Sequence, residues 1–150
     1  MDFNFPYIAL EFGRIIGIPD IEISDANNVT LKILNSKMLR IRWHPEDGKV
    51  IATVWLMSMQ RESAAEAYRI LLSENLRVSR NRGAFLAIDD EYNQLLLVYC
   101  LHPIQIDCAE KLHEHVEHLI GLTEQYIQLM EDQKCERPGL RHFFDMNQAF

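Results

Sequence analysis

Val29–Ile33 and Met38–Trp43 alternate apolar with polar residues, which puts Leu39, Ile41 and Trp43 on one face. A period of two is that of a half-buried strand. Asn35, Ser36 and Lys37 supply a tight reversal between the two runs, and His44 to Gly48 reads as a turn ending in glycine before a longer apolar run, Val50–Met57. Three consecutive strands with short turns predict an antiparallel meander.

Helices flank and interrupt it. Asn4, Phe5 and Pro6 open the first, because proline is tolerated only in a helix's first turn. Ile8, Phe12, Ile15 and Ile16 then form a stripe, Gly17 can take the left-handed cap, and Pro19 forbids continuation. Ser63 and Glu66 have capping-box spacing and start a second helix through Asn75, with Ala67, Tyr68, Leu71 and Leu72 as its apolar side. Two strands follow, Ala84–Ile88 and Leu95–Leu101, joined by Asp89 to Asn93 and ended by His102 and Pro103. A second capping box, Asp107 to Glu110, opens the last helix. There Leu112, Val116, Leu119, Thr123, Tyr126 and Met130 recur at alternating spacings of four and three. The pattern stops at Arg137, Pro138 and Gly139. The order helix–three antiparallel strands–helix–two strands–helix, with no repeat or linker, predicts a single α+β domain over residues 1–135 and a C-terminal tail over 136–150.

With 48% apolar and 25% charged residues, a chain of 150 residues can build one core without disulfides or metal. No apolar run reaches the ~18 residues of a membrane span, so no membrane insertion is expected. The start of the chain lacks the basic and apolar stretches of a signal peptide. Three cysteines, Cys100, Cys108 and Cys135, with no CxxC pair, point to a reducing cytoplasm. The net charge of −7 argues against nucleic acid and favours a neutral or basic partner. The densest basic stretch, Arg77, Arg80 and Arg82, reads as a solvated loop.

No catalytic constellation emerges. In His113-Glu-His-Val-Glu-His118 the position four after His113 is Glu117, so the zincin pattern fails, and Glu114 defeats the inverted one. His115 and His118 could share a surface metal, but the simpler reading is a polar helix face meeting water. The serines sit in no GxSxG elbow. Cys100 and His102 share a strand face rather than forming an activated pair. The six glycines are scattered singly, leaving no phosphate loop, and Asp89 to Glu91 lack calcium-loop spacing. No catalytic residue, metal or cofactor is therefore expected. What remains is surplus apolar surface: one sheet face can lie under the last helix, and the other, with Leu34, Met38, Val54, Leu56 and Met57 nearby, needs a partner or a second subunit.

Three passages, in order, resemble a known family. Leu10-Glu-Phe-Gly-Arg-Ile-Ile-Gly-Ile-Pro19 is similar to the opening helix of the class I chaperones of bacterial type III secretion. Glu74-Asn-Leu76 followed by Gly83-Ala-Phe-Leu-Ala-Ile-Asp89 resembles its second passage, and Leu95 through Leu101-His-Pro-Ile-Gln-Ile-Asp107 its third. The resemblance covers about residues 3–135 and leaves out the tail and the histidine cluster. It implies a homodimer in the bacterial cytoplasm, without catalysis or cofactor, that holds the N-terminal segment of a secreted effector in a non-globular state. The secretion ATPase is a further implied partner. By position, Ile8, Phe12, Ile15, Leu39 and Ile41 would contribute to effector grooves. Tyr68, Leu71, Leu72, Phe85 and Ala87 would form the dimer interface. An adaptor domain acting on a non-exported partner is the alternative, with a metal-dependent enzyme at His113–His118 a distant third.

Overall fold

The computed structural model describes residues 2–59, 64–77, 81–136 and 144–145. Helix α1 (Phe5–Ile15) leads into β1 (Asn28–Ile33), β2 (Lys37–His44) and β3 (Lys49–Met59). Then come α2 (Ala64–Glu74), β4 (Ala84–Asp89), β5 (Gln94–Leu101), a 3₁₀ turn (Pro103–Ile106) and α3 (Ala109–Glu136), with a two-residue strand, β6 (Phe144–Asp145). The expected α+β order is present. Ser63 of the expected capping box, Arg80 of the basic stretch and Arg137–Gly139 lie outside the described residues, as does most of the tail.

The sheet order is β1-β2-β3-β5-β4, with β6 pairing the end of β3 at Ser58 and Met59. Because β3 and β4 each run antiparallel to β5, they are parallel to one another, and α2 is the crossover that connects them. The β1–β2 reversal is tight: Ile33 pairs with Lys37 across only three residues, of which Leu34 and Asn35 take positive φ, +47° and +66°.

Register builds the core row by row. Leu31 opposes Leu39, Leu39 opposes Val54, Val54 opposes Leu97 and Leu97 opposes Leu86, all buried on one sheet face. The stripe Leu112, Val116, Leu119, Thr123, Tyr126 and Met130 of α3 is fully buried with this core, as its spacing requires. Thr123 satisfies its hydroxyl by donating to the Leu119 carbonyl at 2.8 Å. A bulge between Trp55 and Met57 breaks the alternation of β3, so Val54, Leu56 and Met57 are all interior. These three are therefore core; of the residues expected near an unpartnered sheet face, Met38 and Leu34 remain partly exposed.

Helix α1 starts where Asn4 Oδ1 accepts from Tyr7 N–H at 3.1 Å, with Pro6 in the first turn. It buries Phe5, Ile8, Ala9, Phe12 and Gly13 against α3. The inner stripe therefore begins at Phe5, and Ile15, expected on that stripe, faces out. After Gly17, at φ +81°, the chain turns back, and Ile18 N–H donates to the Gly13 carbonyl at 2.7 Å. The return is so close that a Cβ on Gly13 would stand 2.5 Å from the Ile18 carbonyl oxygen.

Candidate functional site

Two adjoining hollows, of about 500 and 380 Å³, run between the outer side of α1 and the segment from Pro103 into the start of α3. Both are lined by Tyr7, Ile8 and Asp107. Tyr7 (59% exposed) and Ile104 (79%) stand as apolar walls, and Ile15 (42%) closes the far end. The rim is mostly acidic. Asp2, Glu11, Asp107 and Glu110 line it, with Arg14 pairing Glu11. Lys111, beside the rim, meets Asp107 at 2.7 Å, and this carboxylate holds the ammonium's pKa above its ordinary value. Such a cleft, apolar within and negative around, suits an extended polypeptide segment with apolar side chains.

The expected groove residues divide between this cleft and the core. Ile15 lines it with its side chain exposed, and Ile8 forms its floor while 6% exposed. Phe12 (1%), Leu39 (0%) and Ile41 (1%) are packed in the core of the protomer. Phe12 lies on the side of α1 that meets α3, and Leu39 and Ile41 lie in the buried sheet core, so their side chains offer a partner no surface here. Sequence pattern does not reveal Tyr7 or Ile104 as site residues. Tyr7 lies off the stripe of α1, and Ile104 sits in a turn too short for any periodicity to mark.

A second group of exposed apolar residues belongs to the crossover: Leu72 (58%), Leu76 (83%) and, on the neighbouring strand, Phe85 (39%). Tyr68 and Ala87 are half-buried, whereas Leu71 (3%) packs into the core. Leu71 and Leu72 thus point opposite ways, one into the protomer and one out of it.

The histidine cluster of α3 does not simply face water. His115 Nδ1 is 2.8 Å from the Tyr99 hydroxyl, and the His118 ring N–H donates to the Asn81 carbonyl at 3.0 Å. Both rings stand edge-on to Tyr99, at 5.4 and 5.8 Å between centroids. Tyr126, fully buried, donates to Asn81 Oδ1 at 2.7 Å. The two histidines therefore serve α3–β5 and α3–loop packing, and burial pulls the His115 pKa below its ordinary value. His113, in turn, lies 3.4 Å from Glu117. Among the described residues, His44, Glu46 and Asp47 have ligand atoms within 4.8 Å of one another, but the two carboxylates are exposed side chains of a turn.

A sequence model of the Tir chaperone protein (CesT) family matches residues 8–126. No curated protein matches the chain in sequence. Solved structures share its fold. The ExsC–ExsE complex contains a chain of 16% identity that superposes with a TM-score of 0.71 over 86% of this chain and 96% of that one. A chain in the HopA1–SchA chaperone–effector complex gives 16% identity and a TM-score of 0.66 over 83% and 96%. The Yersinia pestis type III secretion chaperone SycH, in complex with a fragment of YscM2, gives 17% identity and 0.59 over 80% and 97%.

Proposed function

The chain belongs to the Tir chaperone protein (CesT) family of type III secretion chaperones, and from that premise we propose that its α1 cleft holds the N-terminal segment of a secreted effector. The protein acts as a non-catalytic chaperone, keeping that segment extended and soluble for export. The observation that carries this reading is the cleft itself, where Tyr7, Ile15 and Ile104 remain exposed around a continuous hollow. Each such side chain that a client fully covers contributes roughly 1.5–3 kcal/mol, set against the cost of ordering the client.

Residues 1–135 form the chaperone domain in this proposal, and 136–150 its C-terminal tail. Leu72, Leu76 and Phe85, with Tyr68 and Ala87 beside them, form a self-complementary patch on which two copies pair. The loaded dimer works in the bacterial cytoplasm and passes its client to the secretion ATPase. Among the described residues no helix is long and apolar enough to cross a membrane.

The test is to purify the tagged protein from its native host, identify what accompanies it, and map the protected fragment by limited proteolysis. A protected segment near the start of an exported protein, lost with Tyr7→Asp plus Ile104→Asp, is the expected result. A folded, non-exported partner bound elsewhere would replace this reading with an adaptor role.

A further inference from the structure

The sheet face turned away from α3 carries an unexpected charge pattern over β1, β2 and β3. Its outward positions are Asn28, Thr30 and Lys32 on β1, Met38, Arg40, Arg42 and His44 on β2, and Lys49, Ile51, Thr53 and Trp55 on β3. Four of these are cationic at neutral pH, and none is a carboxylate, although the whole chain carries a net −7. Glu46 and Asp47 of the β2–β3 turn stand at one end, where a backbone hydrogen bond, and then His44 and Arg42, lower the Glu46 pKa. Lys32 and Arg40 lie toward the opposite end.

The centre of this face is also apolar and half-exposed. Met38, Ile51 and Trp55 are only partly covered, and the Arg40 guanidinium carbon lies 5.0 Å from the Trp55 ring centroid. That stacking holds the guanidinium over a flat apolar surface, ready for a bidentate carboxylate contact. The backbone hydrogen bonds of β2 are engaged on both sides, by β1 and by β3. A partner on this face therefore docks through side chains rather than by adding a strand, which favours a helix whose own backbone is already satisfied.

We propose that this face binds an acidic amphipathic helix of the client, its apolar stripe on Met38, Ile51 and Trp55 and its carboxylates on Lys32 and Arg40. This rests on the client-binding reading, and it assigns a second, oppositely charged surface besides the acid-rimmed α1 cleft. The net charge favours a neutral or basic partner; this face is the local exception, and complementarity there selects an acidic one.

The test uses a Trp43→Phe chain, in which Trp55 is the one remaining tryptophan. The probes are a synthetic helical peptide with a leucine stripe flanked by glutamates and its lysine counterpart. Expected are a blue shift of Trp55 emission with the glutamate peptide, binding that weakens as salt rises, and no shift with the lysine peptide. Lys32→Glu plus Arg40→Glu should weaken binding about tenfold or more, with Arg40→Lys between it and the parent. Tyr7→Asp in the α1 cleft should leave this titration unchanged. Equal response to both peptides, or preference for a single-stranded oligonucleotide, would overturn the proposal. So would loss of self-association in the Arg40→Glu chain, which would make the face an interface between two copies. Failure to find an exported client, with the peptide discrimination intact, would count against the client reading alone.

Discussion

The carboxamide of Asn75 hydrogen-bonds both backbone groups of Leu86: Oδ1 accepts from Leu86 N–H at 2.7 Å and Nδ2 donates to the Leu86 carbonyl at 3.1 Å. One side chain thus imitates a neighbouring strand at the outer edge of β4, ties the end of α2 to the sheet, and blunts an edge that could pair indiscriminately. Asn75→Ala removes both bonds and should cost about 1–3 kcal/mol of stability. Equilibrium unfolding in urea measures this; a loss within error would mean that solvent replaces the amide without penalty.

Gly13→Ala should destabilise the protein by overpacking, since the new methyl would meet the Ile18 carbonyl oxygen and the Ile21 side chain. A cost of roughly 1–3 kcal/mol is expected, read as a lowered Tm. Gly121→Ala, with open space around its Cβ and a helical backbone, is the control and should not destabilise.

Under the proposed pairing, substitutions at Leu71 and Leu72 should separate folding from association. Leu72→Glu places a charge on an exposed position and should leave the monomer folded while shifting sedimentation from dimer to monomer. Leu71→Glu buries an unpaired charge and should unfold the chain instead. A Leu72→Glu chain that remains dimeric would remove α2 from the proposed interface.

Acid should weaken the junction of α3 with β5. Burial lowers the folded-state pKa of His115, so the unfolded chain takes up its proton first as pH falls below about 6.5. Stability from the neutral ring is therefore complete above that pH and lost as pH drops toward the folded value. Unfolding midpoints measured from pH 7.5 to 5 should fall, and His115→Gln should flatten the slope.

The long helix is the most legible part of the sequence, because one uninterrupted stripe runs from Leu112 to Met130. Strands β1 to β5 are legible to within about two residues, whereas β6 falls in the stretch that reads as a tail. The face that each strand residue takes is harder to read wherever local geometry breaks the period. The bulge after Trp55 buries Leu56 and Met57 together, and no residue preference announces it. Phe12, Leu39 and Ile41 carry the right apolar chemistry for a binding surface, yet the same chemistry suits a core, and only tertiary packing decides between them. The histidines of α3 look solvated in sequence because glutamates alternate with them; Tyr99, on a different element, draws His115 and His118 inward.

The placement of β5 between β3 and β4 has a consequence for how the chain assembles. The β1–β2–β3 meander closes through local turns, and β4 with β5 closes through another. The seam between them, where Val50 meets Leu101 and Val54 meets Leu97, joins segments from opposite sides of the α2 crossover. Its loop closure is slow compared with either hairpin. Until the seam closes, β3 and β5 each leave a row of backbone N–H and C=O groups unpaired, the kind of edge on which another chain can add a strand.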